Sequence, residues 1–168
     1  MAAEVKYVLS GGENNTDPNA SLGGKISTKA GGVITSAAMN NVFDNVSGEE
    51  GKAGDVEYRG IYVKNTGATT LFGAKVWIKS DATSASDATA IALASEAVNE
   101  AMGTIKDEST APSGPTFSAP SKQSEGLSIG DIPAGQFKGI WVRRTITAGA
   151  AAEDEDTFTI RAEGETGA

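Results

Sequence analysis

The sequence predicts an all-β fold, an antiparallel β-sandwich of immunoglobulin-like or jelly-roll type with a long, Gly-rich N-terminal arm. Three observations lead there. The phrase Glu57-Tyr58-Arg59-Gly60-Ile61-Tyr62-Val63-Lys64 recurs, class for class, as Gln136-Phe137-Lys138-Gly139-Ile140-Trp141-Val142-Arg143, 79 residues later. Each copy alternates at the two-residue period of a strand and is followed by a second strand-like run, at 74–79 and 156–161. Glycine accounts for 21 of 168 residues while aromatics are 6%, a balance that favours short strands and many turns over a thick helical core.

The totals narrow the function classes. A chain of 168 residues is the size of one domain. It has no cysteine, so disulfides and thiolate metal sites are excluded, and no histidine, which removes the commonest general base and metal ligand together. An enzyme is therefore not expected. The net charge of −8 repels phosphate backbones, so nucleic acid is not an expected partner. No apolar run reaches the ~18 residues of a membrane span, and Met1-Ala2-Ala3-Glu4 lacks the basic start and apolar stretch of a signal peptide. A soluble protein made in the cytoplasm, with no membrane partner, is the expectation.

Residues 1–55 are read as an arm with little regular structure, and 56–168 as the β-sandwich domain. In the arm, Tyr7-Val8-Leu9 suits one short strand, and residues 10–19 are a run of Gly and Asx turn formers. Leu22, Ile26, Val33 and Ile34 then appear among the pairs Gly23-Gly24 and Gly31-Gly32, too sparse to form a core alone. Val42, Phe43 and Val46 add a small apolar knot before a polar linker from Ser47 to Asp55. Either this arm packs along the sandwich as edge strands and loops, or it orders against a neighbouring subunit that supplies the missing burial.

From Glu57 the alternation is clear. Arg59, Ile61 and Val63 share one face of a strand; Tyr58, Gly60 and Tyr62 share the other. Asn65-Thr66-Gly67-Ala68 signals a turn, and the chain returns with Val76 and Ile78 on one face and Trp77 on the opposite one. In residues 88–94 alanine favours helix, but Thr89, Ile91 and Leu93 alternate with it at period two, and a strand is expected. A short helix over 95–102 follows, with Ser95 as N-cap and Gly103 as stop. Residues 110–120 carry three prolines and read as an extended loop; Leu127 and Ile129 make a short strand. The expected core is Ile61, Val63, Val76, Ile78, Ile140, Val142, Phe158 and Ile160.

No catalytic, cofactor-binding or metal-binding residue is assigned. The acidic run 153–156 and the aspartates Asp81 and Asp87 have oxygen ligands of the kind Ca²⁺ takes, as does Asn14-Asn15-Thr16-Asp17, but none matches the twelve-residue calcium loop and solvated charge or Asx turns explain them. The glycine pairs lack the strand-loop-helix context and the lysine of a phosphate loop. The aromatics are more informative. Tyr58, Tyr62, Trp77, Phe137 and Trp141 lie opposite the β-branched core residues, so something must cover them. The arm, the Pro-rich loop or an inverted strand face would account for it. Otherwise they form, with Leu22, Ile26, Val33 and Ile34 of the arm, a protein-protein interface, or a sugar-stacking platform.

Several stretches resemble small virion structural proteins of tailed bacteriophages. They are Leu9-Ser10-Gly11-Gly12 followed by residues 15–24, Glu57-Tyr58-Arg59 with residues 61–66, Thr110-Ala111-Pro112 with Thr116-Phe117-Ser118, and Trp141-Val142-Arg143-Arg144-Thr145. The resemblance spans most of the chain and describes turns and strands. It implies a copy-repeated particle component, a capsid decoration or cementing protein on the outside of the head, with the major capsid protein and copies of itself as partners. The alternatives it leaves are a carbohydrate-binding or host-adhesion module using Trp77 or Trp141, and a tail or connector component.

Overall fold

The computed structural model describes residues 4–36, 40–81, 85–151 and 157–167. Within them the chain is mostly antiparallel β. The strands are β1 (Val5–Leu9), β2 (Gly23–Gly24), β3 (Val33–Ile34), β4 (Asp55–Asn65), β5 (Leu71–Ser80), β6 (Asp87–Leu93), β7 (Met102–Thr104), β8 (Leu127–Ile132), β9 (Phe137–Ile146) and β10 (Thr159–Thr166). One short helix, α1 (Gly48–Ala53), and three 3₁₀ turns are the helical content of the described residues. The strands form a five-stranded sheet ordered β3-β1-β4-β9-β6, a three-stranded sheet ordered β10-β5-β8, and the small pair β2-β7.

The two copies of the repeated phrase are β4 and β9, and they pair with each other. Ile61 faces Ile140 at the centre, Gly60 faces Trp141 and Tyr62 faces Gly139. The β-branched residues of this pair turn to one side and meet those of the other sheet. Ile61, Val63, Ile91, Ile140 and Val142 share one buried cluster with Leu71, Ala74, Val76, Ile78, Ile132 and Ala162. Phe158 and Ile160 are partly buried against it. Burying each such aliphatic side chain contributes roughly 1.5–3 kcal/mol, which makes this cluster the main source of cohesion.

β1 lies inside the five-stranded sheet, with Val5–Leu9 paired along β4 and Tyr7 and Val8 paired with β3. Residues of the expected arm thus supply one interior strand and one edge strand. The two-residue β2 pairs with β7, and Ser27 donates its N–H to the carbonyl of Leu9 at 3.0 Å, folding the glycine-rich stretch back onto the sheet.

Two local expectations are corrected. Residues 95–102 form turns, and Met102 opens β7. Asn99 sits at φ 68°, a left-handed value that ends any helix there, and the Ala97 N–H is taken by the Glu100 carboxylate at 3.1 Å. The polar linker before β4 holds a helix instead. Ser47 and Glu50 form a reciprocal capping box around α1, and Gly54 ends it at φ 78°. The strand expected over 88–94 is present as β6. Its alanines have a packing reason, since Ala92 pairs directly with Trp141 and is buried beside it.

Candidate functional site

The outward aromatics are covered by the chain itself. Tyr62 is 0% exposed and Trp141 2%, in a second buried cluster with Val8, Ala92, Ala94 and Met102. Ile26, Val33, Ile105, Phe117 and Phe137 pack around it. The glycines of the phrase make room for this layer. A Cβ on Gly139 would lie 2.5 Å from Met102 Cγ, and one on Gly60 would lie 3.0 Å from Met102 Cε. Tyr62 Oη ties the cover down, donating to the Gly24 carbonyl at 2.5 Å and accepting the Met102 N–H at 2.7 Å.

Of the residues expected at an interface, three are buried within the chain and six are partly exposed. Tyr62 and Trp141 are interior, and Trp77, 6% exposed, is also buried. Tyr58 and Phe137 are half-buried, the first edge-on to Phe117 at 5.5 Å and the second edge-on to Tyr62 at 5.1 Å. Ile26 and Val33 help to cover this cluster, Ile34 packs on the inner one, and Leu22 is half-buried with its carbonyl taking the Ile105 N–H at 2.9 Å. The Pro-rich loop contributes Phe117, over which Arg143 sits at 5.1 Å, and pairs Ser118 with Ile91 on the outer edge of β6.

Of the calcium candidates, residues 153–156 lie outside the described residues. The Asp81 carboxylate accepts the Thr89 N–H at 3.0 Å. In the Asn14–Asp17 stretch the Asn15 amide donates to the Ser10 carbonyl at 2.6 Å and Asp17 accepts the Asn19 N–H at 2.9 Å, so these side chains serve the turn.

What sequence reasoning missed is a charged cluster at one end of the inner face. Glu57 and Arg59 on β4, and Arg144 on β9, are all buried. The register sets Glu57 opposite Arg144. Arg144 Nε donates to Glu57 Oε2 at 2.5 Å, its Nη2 forms an ion pair with the same oxygen, and its Nη1 donates to the Asp44 carbonyl at 2.8 Å. Arg59 Nη2 reaches Glu108 Oε2 at 2.6 Å and Asn19 Oδ1 at 3.2 Å. Both guanidinium groups stack on Phe43, at 5.3 Å for Arg59 and 4.7 Å for Arg144. The cluster joins β4 and β9 to three loops. Its signal was available in the alternation, because Glu57 and Arg59 share the parity of Ile61 and Val63, and Arg144 that of Ile140 and Val142.

Burial pushes the Glu57 carboxyl up to about 7, although Arg144 and, less strongly, Arg59 pull it down. Lys138 is a second buried charge. Its Nζ donates to the carbonyls of Ala94 and Glu96, and burial lowers its pKa while Glu96 and Glu100 oppose that shift. These contacts hold a fold together; none places a nucleophile against a base among the described residues.

No family model matches the chain, and neither the curated proteins nor the solved structures contain a match to it.

Proposed function

We propose that the chain is a structural virion protein of a tailed bacteriophage, a capsid decoration or cementing protein on the outer surface of the head. Its partners are the major capsid protein and copies of itself, and it stabilises the shell by adding interface between neighbouring subunits. The architecture proposed with it is a β-sandwich, immunoglobulin-like or jelly roll. The inner cluster shared by the two larger sheets supports that assignment.

The observation that carries the reading is the margin of the three-stranded sheet. Among the described residues β8 and β10 are its outer strands, and on β5 between them Phe72, paired with Glu165 of β10, is 45% exposed, at a shallow depression with Lys75, Gln123 and Glu165. An outer strand beside an exposed aromatic with a polar rim suits contact with another subunit. The contact surface is thereby moved from Tyr62 and Trp141 to the region of Phe72. The phrases that resemble phage virion proteins supply the kind of assembly. A sugar-stacking role has lost its support, because both tryptophans are buried.

The test is addition of the purified chain to empty heads that lack it. Saturable binding with a rise in the temperature of head disassembly is expected, weakened by Phe72→Asp. Absence of binding would sink the proposal, and labelled protein found on tails in electron micrographs would move it to the tail or connector.

A further inference from the structure

One carboxylate oxygen of Glu57 is committed to Arg144, whereas Oε1 is buried and meets no hydrogen-bond donor among the described residues. Ionised, this atom is an acceptor without a donor. Such orphaned buried groups are rare in native folds and point to an unaccounted water or ion.

Two further carboxylates converge on Glu57. Glu50, in the first turn of α1, and Asp55, at the start of β4, each bring an oxygen within 4.8 Å of a Glu57 oxygen and of each other. Their contacts to the backbone leave oxygens over. Glu50 Oε2 accepts the Ser47 N–H at 2.6 Å, and Asp55 Oδ1 accepts the Val56 N–H at 2.8 Å. Among the described residues neither Glu50 nor Asp55 has a lysine or arginine at ion-pair distance. The other acidic trio, Asp44, Glu57 and Glu108, differs in this respect, since Arg59 and Arg144 lie at ion-pair distance from its members. With Glu57 paired to Arg144, Glu50 and Asp55 contribute two negative charges, the complement of one divalent cation.

We propose that Glu50, Asp55 and Glu57 bind a hard divalent cation, Ca²⁺ foremost, which fixes α1 to the start of β4. Calcium takes six to eight oxygens in flexible geometry, so three carboxylates with water or carbonyl oxygens suffice. The cation also secures the turn after β9, because the Gly51 carbonyl accepts the N–H groups of Gly149 at 2.8 Å and Ala150 at 2.9 Å. The site is independent of whether the chain binds a phage head.

The test uses the full chain, stripped with EDTA and titrated with CaCl₂ by calorimetry and by thermal unfolding. One calcium per chain and a saturable rise in Tm are expected. Glu50→Gln combined with Asp55→Asn keeps the capping acceptor. It should weaken binding by more than the roughly 10- to 100-fold that changes outside a metal's own ligands cost. Glu13→Gln, on the exposed turn after β1, should bind as the parent chain does. No saturable heat and no Tm shift in the parent chain would overturn the proposal, as would a double variant that binds equally well. The parent titration decides the matter even where the double variant misfolds.

Discussion

Gly139 stands directly opposite Tyr62 in the β4–β9 ladder, and its missing side chain is the space that Met102 fills. Gly60 and Trp141 repeat the relationship one step beyond the central Ile61–Ile140 pair. The eight-residue phrase is thus a packing device: each copy sets its glycine against the other copy's aromatic, and a third element lies across both.

Adding a methyl group at Gly139 should therefore overpack this layer. A Cβ there comes 2.5 Å from Met102 Cγ and 3.0 Å from Ala94 Cβ, so Gly139→Ala should cost about 1–3 kcal/mol. Urea unfolding checks it, and an unchanged midpoint would contradict the role given to the glycine.

Removing Arg144 strands the buried carboxylate of Glu57. Arg144→Met should destabilise by about 3–5 kcal/mol, and adding Glu57→Leu should restore much of that loss, because a buried pair replaced by apolar groups avoids the desolvation of both charges. A double-mutant cycle measures the coupling. Additive effects would show that the two side chains do not act as a pair.

The pH dependence has a definite sign. With its carboxyl raised from 4.5 to about 7, folded Glu57 holds its proton more tightly than the unfolded chain does. Its contribution to stability is complete below pH 4.5 and is lost as pH rises through 7. In calcium-free protein this amounts to about 3 kcal/mol across that window. Glu57→Gln should show a flatter stability profile there, measured by denaturant unfolding at a series of pH values; a profile parallel to the parent's would refute the assignment.

Deleting residues 1–9 removes β1 and with it the buried Val8 and Leu9 and the Tyr7 hydroxyl that accepts the Ala162 N–H at 2.7 Å. An arm that only reached outward would leave the domain intact on truncation. Here the deletion should cost several kcal/mol or abolish the cooperative melt. A truncated chain that melts like the full one would mean that β1 contributes little.

Much of the strand framework was legible because alternation is local. Val76 and Ile78, or Ile140 and Val142, declare a buried face within a few residues. The capping box of Ser47 and Glu50 was equally local, and the polarity of the linker obscured it. The expected helix at 95–102 failed because its turn is held by distant groups, with Lys138 on the carbonyls of Ala94 and Glu96 and Tyr62 Oη on the Met102 N–H.

The sequence by itself determined an all-β chain, the positions of β4, β5, β6 and β9, and the inner-core residues Ile61, Val63, Val76, Ile78, Ile140 and Val142, since a two-residue period needs no knowledge of what lies opposite. Only the tertiary structure decided that β4 and β9 are neighbours, that the chain covers its own Tyr62 and Trp141, and that Glu57 meets Arg144 with Glu50 and Asp55 close by. Those outcomes depend on which segments meet across long stretches of chain. Residue class and spacing do not encode such pairings; burial and charge compensation select them once the sheets assemble.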